Sequence, residues 1–188
     1  MTSIAVIGSG NIGATIGTAW RRAGHDVVFA SRSPEPPRTV AIGDALAGAE
    51  VVLLAVPGAA VPGLLSEHGV SLDGRLVIDA TNDLGGERLH HSDAYARYAP
   101  GARFARAFNS LGFELFADPS IGGEVADLFW CGPEGAGVEE LIADVGLRPV
   151  RVGGIDAIDV VDGVGRLWLT LVFRQGHSRR LAFRMLAE

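Results

Sequence analysis

The sequence of 188 residues contains no lysine, and all 16 of its basic side chains are arginine. Arginine stays protonated and cannot form a Schiff base. Its exclusive use rules out lysine nucleophiles, lysine-dependent dehydrogenases and phosphate-binding loops built around a lysine. The single cysteine, Cys131, rules out a disulfide framework and a metal site with several cysteine ligands. We therefore expect no metal site.

Long apolar runs are missing as well. The longest, Val51–Leu65, is interrupted by prolines and glycines, and it falls short of the roughly 20 residues that a membrane helix needs. The first residues, Met1–Ser3, lack the charged start of a signal peptide. A net charge of -6 argues against a nucleic-acid-binding protein, which normally has a basic surface. We expect a cytoplasmic protein that binds neither membranes nor nucleic acid.

Short apolar runs alternate along the chain with stretches that have helical spacing. The runs predict strands at residues 4–7, 27–30, 51–56, 76–78, 103–108, 128–131 and 149–152. Strands separated by helices indicate an α/β protein with a doubly wound, mostly parallel Rossmann sheet. In residues 103–108 charged and apolar side chains alternate at first, which predicts a strand nearer an edge.

One connection is shorter than the doubly wound pattern requires. Only Pro34–Gly43 lies between the second strand and the next short helix, which is predicted at Asp44–Ala49. We expect the second crossover helix to be missing and the edge strand near Thr39–Val40 to be rudimentary.

The last part of the chain changes to a purely helical pattern. Leu167–Phe173 is apolar on most sides, and the helical pattern resumes at Leu181–Leu186. A helix that is apolar nearly all round has to be buried on more than one face. We therefore divide the chain into a Rossmann domain at 1–152 and a C-terminal helical segment at 153–188. We expect this segment to contact a second copy in a homodimer; the alternative is a helix packed in a groove of its own domain.

A glycine motif, G-x-G-x-x-G, follows the first strand and opens the first helix, which is the context of a dinucleotide-binding loop. The first glycine permits a tight turn, the second lets the backbone approach a diphosphate, and the third lets the helix lie close to the strand. The helix N-terminus offers free N–H groups to the diphosphate. The motif consists of Gly8, Ser9, Gly10, Asn11, Ile12 and Gly13.

The end of the second strand indicates which dinucleotide binds. An NAD site has an acidic residue about 20 residues after the motif, whereas this chain has Ser31, Arg32 and Ser33 there. A guanidinium pairs with a 2′-phosphate that a carboxylate would repel. The sequence therefore predicts NADP(H), with Arg38 as a candidate second phosphate contact. The alternative for Arg32 is an arginine in a solvated loop.

Ligands of an open parallel sheet bind outside the carboxyl ends of its strands. Val56 and Pro57 lie at such an end and would give the dinucleotide an apolar wall, although a strand-ending proline is an equal alternative. Asn82 and Asn109 lie at two other ends, and their amides suit the nicotinamide carboxamide or the acceptor ring. As an alternative, either asparagine caps a turn through its own backbone.

Further segments resemble the family of NADPH-dependent coenzyme F-420 reductases, whose coenzyme is a 5-deazaflavin. Besides the glycine motif, the likeness includes Ala23–Asp26, Ser31–Arg32, Ala55–Pro57, Asp79–Asn82, Ala107–Ser110, Trp130–Gly132, Arg174–Gly176 and Leu181–Arg184. The resemblance implies a Rossmann domain with a short C-terminal part, a dimer, NADP(H), and hydride exchange between nicotinamide and deazaflavin. The chain departs from the family in the short connection after Ser33, which bears on how tightly a 2′-phosphate binds.

Hydride transfer between two flat rings requires alignment at about 3–3.5 Å in a dry pocket, and it requires no side-chain acid. We therefore expect no catalytic nucleophile, with Asn109 as a positioning residue and F-420 or a flavin-like molecule as the acceptor. A second hypothesis is an NADPH reductase of a small carbonyl or imine substrate, with His91 or Tyr95 as the acid. A third is a non-catalytic NADP(H)-binding sensor.

Overall fold

The structure is a computed structural model, and it describes residues 1–187. Strands and helices alternate through most of the chain. In order they are β1 (Ser3–Ile7), α1 (Asn11–Arg22), β2 (Asp26–Ser31), β3 (Val40–Ala41), α2 (Ile42–Ala47), β4 (Val51–Leu54), α3 (Val61–His68), β5 (Leu76–Asp79), α4 (Ser92–Tyr98), β6 (Arg103–Arg106), α5 (Phe113–Ala117), β7 (Ser120–Ile121), β8 (Glu124–Val125), β9 (Asp127–Cys131), α6 (Val138–Asp144), β10 (Arg148–Gly153) and α7 (Ile158–Phe173).

Eight strands form the central sheet, in the order β10-β9-β6-β5-β4-β1-β2-β3. The six strands from β3 to β6 are parallel, whereas β9 pairs with β6 in the antiparallel sense and β10 runs parallel to β9. β1 pairs with β2 on one side and with β4 on the other, so the strand order reverses there. The predicted doubly wound, mostly parallel Rossmann sheet is confirmed.

The apolar runs form strands because helices cover both faces of the sheet. All four residues of β4 are buried, and their side chains alternate between two clusters. One cluster includes residues of α1, α5, α6 and α7, and the other includes residues of α2, α3 and α4. This layering leaves the carboxyl ends of β1, β2, β4, β5 and β6 together at one edge of the sheet.

The connection after β2 is as short as the sequence predicts. No helix occurs between Ser31, the last residue of β2, and Val40, the first residue of β3. The two strands pair through Ala30 with Val40 and through Ser31 with Ala41. β3 has only two residues, and α2 begins directly after it. The missing crossover helix and the rudimentary edge strand are both confirmed.

The strand predicted at residues 103–108 forms at Arg103–Arg106; it lies third from one edge of the sheet and not at the edge itself. β6 lies inside the sheet, between β5 and β9, and Arg106 is fully buried. The reason is that α7 and the end of β5 supply carboxylates for this arginine, so its charge does not require solvent.

The prediction of a helix at Leu181–Leu186 is wrong, because residues 174–187 contain no helix. The backbone of this tail bonds to the domain: the Leu181 carbonyl accepts from the Trp168 indole at 2.9 Å, and the Phe183 carbonyl accepts from the Asp127 N–H at 3.0 Å. Both apolar side chains pack on the main core. These contacts with the domain take the place of hydrogen bonds within a helix.

α7 buries one face and exposes apolar side chains on the other. Ile158, Val161 and Trp168 are buried, whereas Val160 and Leu167 are exposed. This exposed face is where we expect the second copy of the predicted homodimer, which stays a prediction that light scattering would test. Within residues 1–187, no helix is long and apolar enough to cross a membrane.

Candidate functional site

The glycine motif forms a tight turn from β1 into α1. Gly8 has a φ of +110°, and a Cβ atom there would lie 2.3 Å from the Ala55 carbonyl oxygen. A Cβ atom at Gly13 would lie 1.9 Å from the Gly8 carbonyl oxygen. Both positions therefore exclude any larger residue, for the reasons that the sequence predicts.

The middle of the motif is open instead of crowded. Gly10 caps α1 with extended backbone, and nothing lies within 4 Å of the position that its Cβ atom would take. No side chain caps this helix, so N–H groups of its first turn are left for a ligand. Ser9 and Asn11 are exposed beside Gly10, and Ile12 packs partly against the core. The loop has the form of a diphosphate cradle.

A cavity of about 460 Å³ lies beside this loop, between the ends of β1, β2 and β4 and the helix α3. We call it the nucleotide cavity. Its walls are formed by Ile7, Gly8, Ser31, Arg32, Ile42, Val56, Pro57, Ala59, Ala60, Gly63, Leu64, Glu67 and His68. The structure thus brings together the glycine loop, the apolar wall and the predicted phosphate-binding arginine.

Arg32 is exposed to solvent at the end of β2. The only carboxylate in the cavity walls belongs to Glu67, on α3, and it lies 3.5 Å from the His68 Nε2 atom. The cavity is therefore cationic at the β2 end, where an NAD site would have its acidic residue.

The other predicted phosphate contacts lie less favourably. The Ser33 N–H donates to the Ser31 hydroxyl at 3.2 Å. Arg38 is exposed in a turn that is closed by a 2.8 Å bond from its own N–H to the Glu35 carbonyl. Ser31 lines the nucleotide cavity, whereas Ser33 and Arg38 do not belong to its walls. Their contact with a phosphate stays a prediction.

Asn82 and Asn109 lie side by side at the ends of β5 and β6, but their amides bond to the protein. The Asn82 Nδ2 atom donates to the Asn109 carbonyl at 2.8 Å, and its Oδ1 atom accepts from Arg106 at 3.0 Å. The Asn109 Nδ2 atom donates to Asp162 at 2.9 Å. Only the Asn109 Oδ1 atom has no partner, and it is buried. A direct ligand contact through these amides stays a prediction.

Arg106 is the centre of this group. Its guanidinium lies 2.8 Å from an Asp162 carboxylate oxygen on α7 and 3.2 Å from an Asp79 carboxylate oxygen on β5. It also donates to the Thr81 carbonyl. Burial raises the pKa of Asp162, and the neighbouring Arg106 charge opposes that rise. We call Asp79, Asn82, Arg106, Asn109 and Asp162 the buried polar cluster.

Sequence reasoning missed Arg106 and Asp162. A usable signal existed: each charge stands in an apolar stretch, which is unusual unless the charge has a buried partner. Nothing in the sequence pairs the two residues, because they lie 56 positions apart.

The backbone is strained at Phe108, which lies between Arg106 and Asn109 of the buried polar cluster. Phe108 has a φ of +63°, and it is the only residue other than glycine with a positive φ within residues 1–187. Its ring is buried and meets Trp20 and Phe116 edge-on, with centroids 5.9 and 5.6 Å away. Such strain persists only where the surroundings determine the conformation, and it is concentrated at functional sites.

The two candidate acids differ in access. Tyr95 is buried, its ring stacks on Phe104 at 3.9 Å, and burial followed by the Asp79 charge raises its pKa well above the usual value. Such a phenol is a poor proton donor. The His91 Nε2 atom lies 3.1 Å from an Asp83 carboxylate oxygen, beside an open cavity of about 540 Å³. Of the two, only His91 lines this cavity, and its Nε2 atom is itself buried.

A further cavity, of about 450 Å³, lies between the loop after β5 and the second half of α7. We call it the α7 cavity. Arg166 and Arg174 contribute two positive charges to its walls and Asp83 one negative charge, and Leu84, Leu89 and Phe173 contribute apolar surface. This combination suits a ligand with a flat apolar part and an anionic part.

Residues 3–83 match a protein family described as NADP oxidoreductase, coenzyme F-420-dependent. A solved structure of a hypothetical protein from Sinorhizobium meliloti is 32% identical, with a TM-score of 0.69, and the match covers 84% of this chain and 87% of that one.

Two other solved structures show the fold. A protein assigned as an F-420-dependent NADP reductase from Arthrobacter sp. FB24 is 24% identical over 100% of both chains, with a TM-score of 0.83. A reductive aminase from Aspergillus terreus, in complex with NADPH and ethyl levulinate, is 19% identical, with a TM-score of 0.67; the match covers 93% of this chain and 61% of the aminase. Residues 3–83, which include the glycine motif, are thus similar to the family of coenzyme F-420-dependent NADP oxidoreductases.

Proposed function

We propose that this NADP-dependent oxidoreductase transfers hydride between nicotinamide and coenzyme F-420 or a flavin-like acceptor, and that Arg32 binds the 2′-phosphate. The observation that carries the proposal is that the exposed Arg32 lines the same cavity as Gly8 of the glycine loop. The residues fit the dinucleotide: Gly8 and Gly13 leave no room for side chains, and Gly10 leaves open space for the diphosphate.

The α7 cavity, beside the loop after β5, supports this choice of acceptor. A deazaflavin or flavin with a phosphorylated tail has a flat apolar ring and a negative charge, which match the apolar surface and the two arginines of the α7 cavity. The cofactor supplies the redox chemistry, and the protein binds it, orients it and excludes water. No side-chain acid is required for this transfer.

Arg32→Ala tests the phosphate assignment. Loss of a charge-assisted bond is expected to weaken NADPH binding by more than 1 kcal/mol, about fivefold or more in Kd, and to leave NADH binding little changed. Fluorescence titration of bound NADPH and NADH measures both constants. Arg22→Ala is the matched control, because it removes an exposed arginine at the far end of α1, outside the cavity walls. Equal losses for both nucleotides in Arg32→Ala would contradict the assignment.

Stopped-flow mixing of enzyme and NADPH with each candidate acceptor tests the reaction itself. We expect nicotinamide absorbance to fall together with bleaching of oxidised F-420 or a flavin. Tight NADPH binding without reduction of any acceptor would support the sensor hypothesis instead.

A second candidate is reduction of a small carbonyl or imine. It is favoured by His91, which lies beside Asp83 at the accessible cavity after β5 and could donate the proton that such a substrate needs. In that case the same mixing experiment with an imine or ketone would consume NADPH, and His91→Gln would abolish the reaction without changing NADPH binding.

A further inference from the structure

The buried polar cluster joins α7 to the sheet through one carboxylate. The Asp162 Oδ1 atom accepts from the Arg106 Nε atom at 2.8 Å and from the Asn109 Nδ2 atom at 2.9 Å. Arg106 is fully buried, and Asp162 and Asn109 are only 3% and 4% exposed. Asp162 thus fixes one residue within β6 and one residue just beyond its end.

The same contacts extend to the segment after β5. Asn82 donates to the Asn109 carbonyl and accepts from Arg106, so both of its amide atoms are engaged. Gly58 packs on this segment so closely that a Cβ atom there would lie 2.3 Å from the Asp83 nitrogen. Gly58 directly follows Pro57, which is part of the nucleotide cavity wall. An unbroken series of contacts therefore leads from Asp162 to the cofactor side of the sheet.

A bound dinucleotide crosses the sheet edge where the strand order reverses, which here is between β1 and β4. With the adenosine half on the β2 side, where Arg32 lies, the nicotinamide half falls on the side of β4, β5 and β6. The segments fixed by the buried polar cluster are the ones that follow β5 and β6.

We infer that Asp162 is a positioning residue for the nicotinamide half of the dinucleotide, acting through Arg106, Asn109 and Asn82. This inference rests on the proposed function. Asp162 itself touches no ligand in this role. It determines where the ends of β5 and β6 lie, and therefore the shape of the surface that receives the ring.

The composition of the cluster supports positioning over stability. A buried arginine between two carboxylates is rarely more stable than apolar residues of the same size, because all three charges lose their hydration. The cluster also leaves the Asp79 Oδ2 and Asp162 Oδ2 atoms buried without hydrogen-bond partners. Charged groups with several hydrogen bonds do, however, hold their neighbours in one geometry. The strained backbone of Phe108, between Arg106 and Asn109, is a conformation that persists only where the surroundings hold it in this way.

The test compares NADPH with 2′,5′-ADP, which contains the adenosine half alone. Asp162→Asn and Asn109→Ala are expected to weaken NADPH binding at least fivefold and to leave 2′,5′-ADP binding within twofold. Asn109→Ala keeps the Arg106–Asp162 ion pair, so it remains informative if the Asp162 variant does not fold. Asp159→Asn is the matched control: the same substitution on α7, at a residue whose carboxylate is exposed and outside the cluster.

Calorimetric titration of each variant gives both constants. A parallel loss of NADPH and 2′,5′-ADP binding would show a general structural effect and overturn the inference, as would unchanged NADPH binding in both variants. If the unmodified protein bound NADPH no better than NADH, the proposed function would fail, whereas the ratio of NADPH to 2′,5′-ADP binding would still measure the positioning effect.

Discussion

Two arginines lie at the carboxyl ends of two strands of one sheet, β2 and β6, and they have opposite surroundings. Arg32 follows β2 and is exposed, whereas Arg106 ends β6 and is fully buried. β2 is followed in the sheet only by the two residues of β3, and no crossover helix covers its end. β6 is flanked by β9 and covered by α7, which contributes Asp162.

The same residue type at a strand end is therefore free to meet a ligand in one place and is bonded within the fold in the other. An exposed guanidinium keeps its hydrogen-bonding capacity for an incoming phosphate. A buried one must satisfy its donors within the protein, since an unpaired buried charge is very costly. The neighbours of each strand, and not the local sequence, decide between the two outcomes.

Arg106→Met compared with Arg32→Met is expected to give the largest difference. Removing Arg106 leaves Asp79 and Asp162 buried without their cation, which costs about 3–5 kcal/mol of unfolding free energy. Arg32→Met changes an exposed side chain and is expected to stay within about 0.5 kcal/mol of the unmodified protein. Urea unfolding of the three proteins measures both effects.

The loss in Arg106→Met also depends on pH. Burial already raises the pKa of Asp162, and removing the guanidinium that opposes this rise moves the pKa further up. A carboxyl group with a raised pKa in the folded state destabilises it above that pKa, and the penalty is relieved as the pH falls through it. The deficit against the unmodified protein should therefore shrink as the pH is lowered from 7. A deficit that grew on acidification would contradict the ion-pair account.

A second comparison separates packing from ligand binding within the glycine motif. A methyl group at Gly13 would lie 1.9 Å from the Gly8 carbonyl oxygen, so Gly13→Ala must shift α1 and is expected to cost about 1–3 kcal/mol of stability. Gly10→Ala has open space around it, so it should weaken NADPH binding with little change in stability. Thermal unfolding with and without NADPH distinguishes them. Equal destabilisation by both variants would show that the two glycines do not have different roles.

The sequence predicts those parts of the site whose position depends only on residues nearby in the chain. Gly8, Gly13 and Arg32 act through the turn and the strand on which they lie, and a run of 30 residues contains the whole pattern. The short connection after β2 is equally local, because its length alone excludes a helix. For the same reason, the Rossmann order of strands and helices could be predicted from periodicity.

The rest depends on contacts that the linear order does not contain. Arg106 alternates with apolar residues as an edge strand would, and only Asp162 on α7 explains its burial. Residues 181–186 have helical spacing, yet their backbone bonds to Trp168 and Asp127 instead. In both cases a local preference is overruled by a partner from a distant part of the chain.

Cys131 gives the smallest expected effect and tests how closed the β6 side is. It faces Arg106 across the β6–β9 pair and is fully buried. A nearby guanidinium lowers a thiol pKa, but here burial is the larger influence and raises the pKa to about 11. The thiol should therefore be protonated at pH 8 and react with a disulfide reagent many times more slowly in the folded protein than in urea. Rapid, stoichiometric labelling of the folded protein would show that solvent reaches this side of the sheet, and the contrast between the two arginines would then be one of degree only.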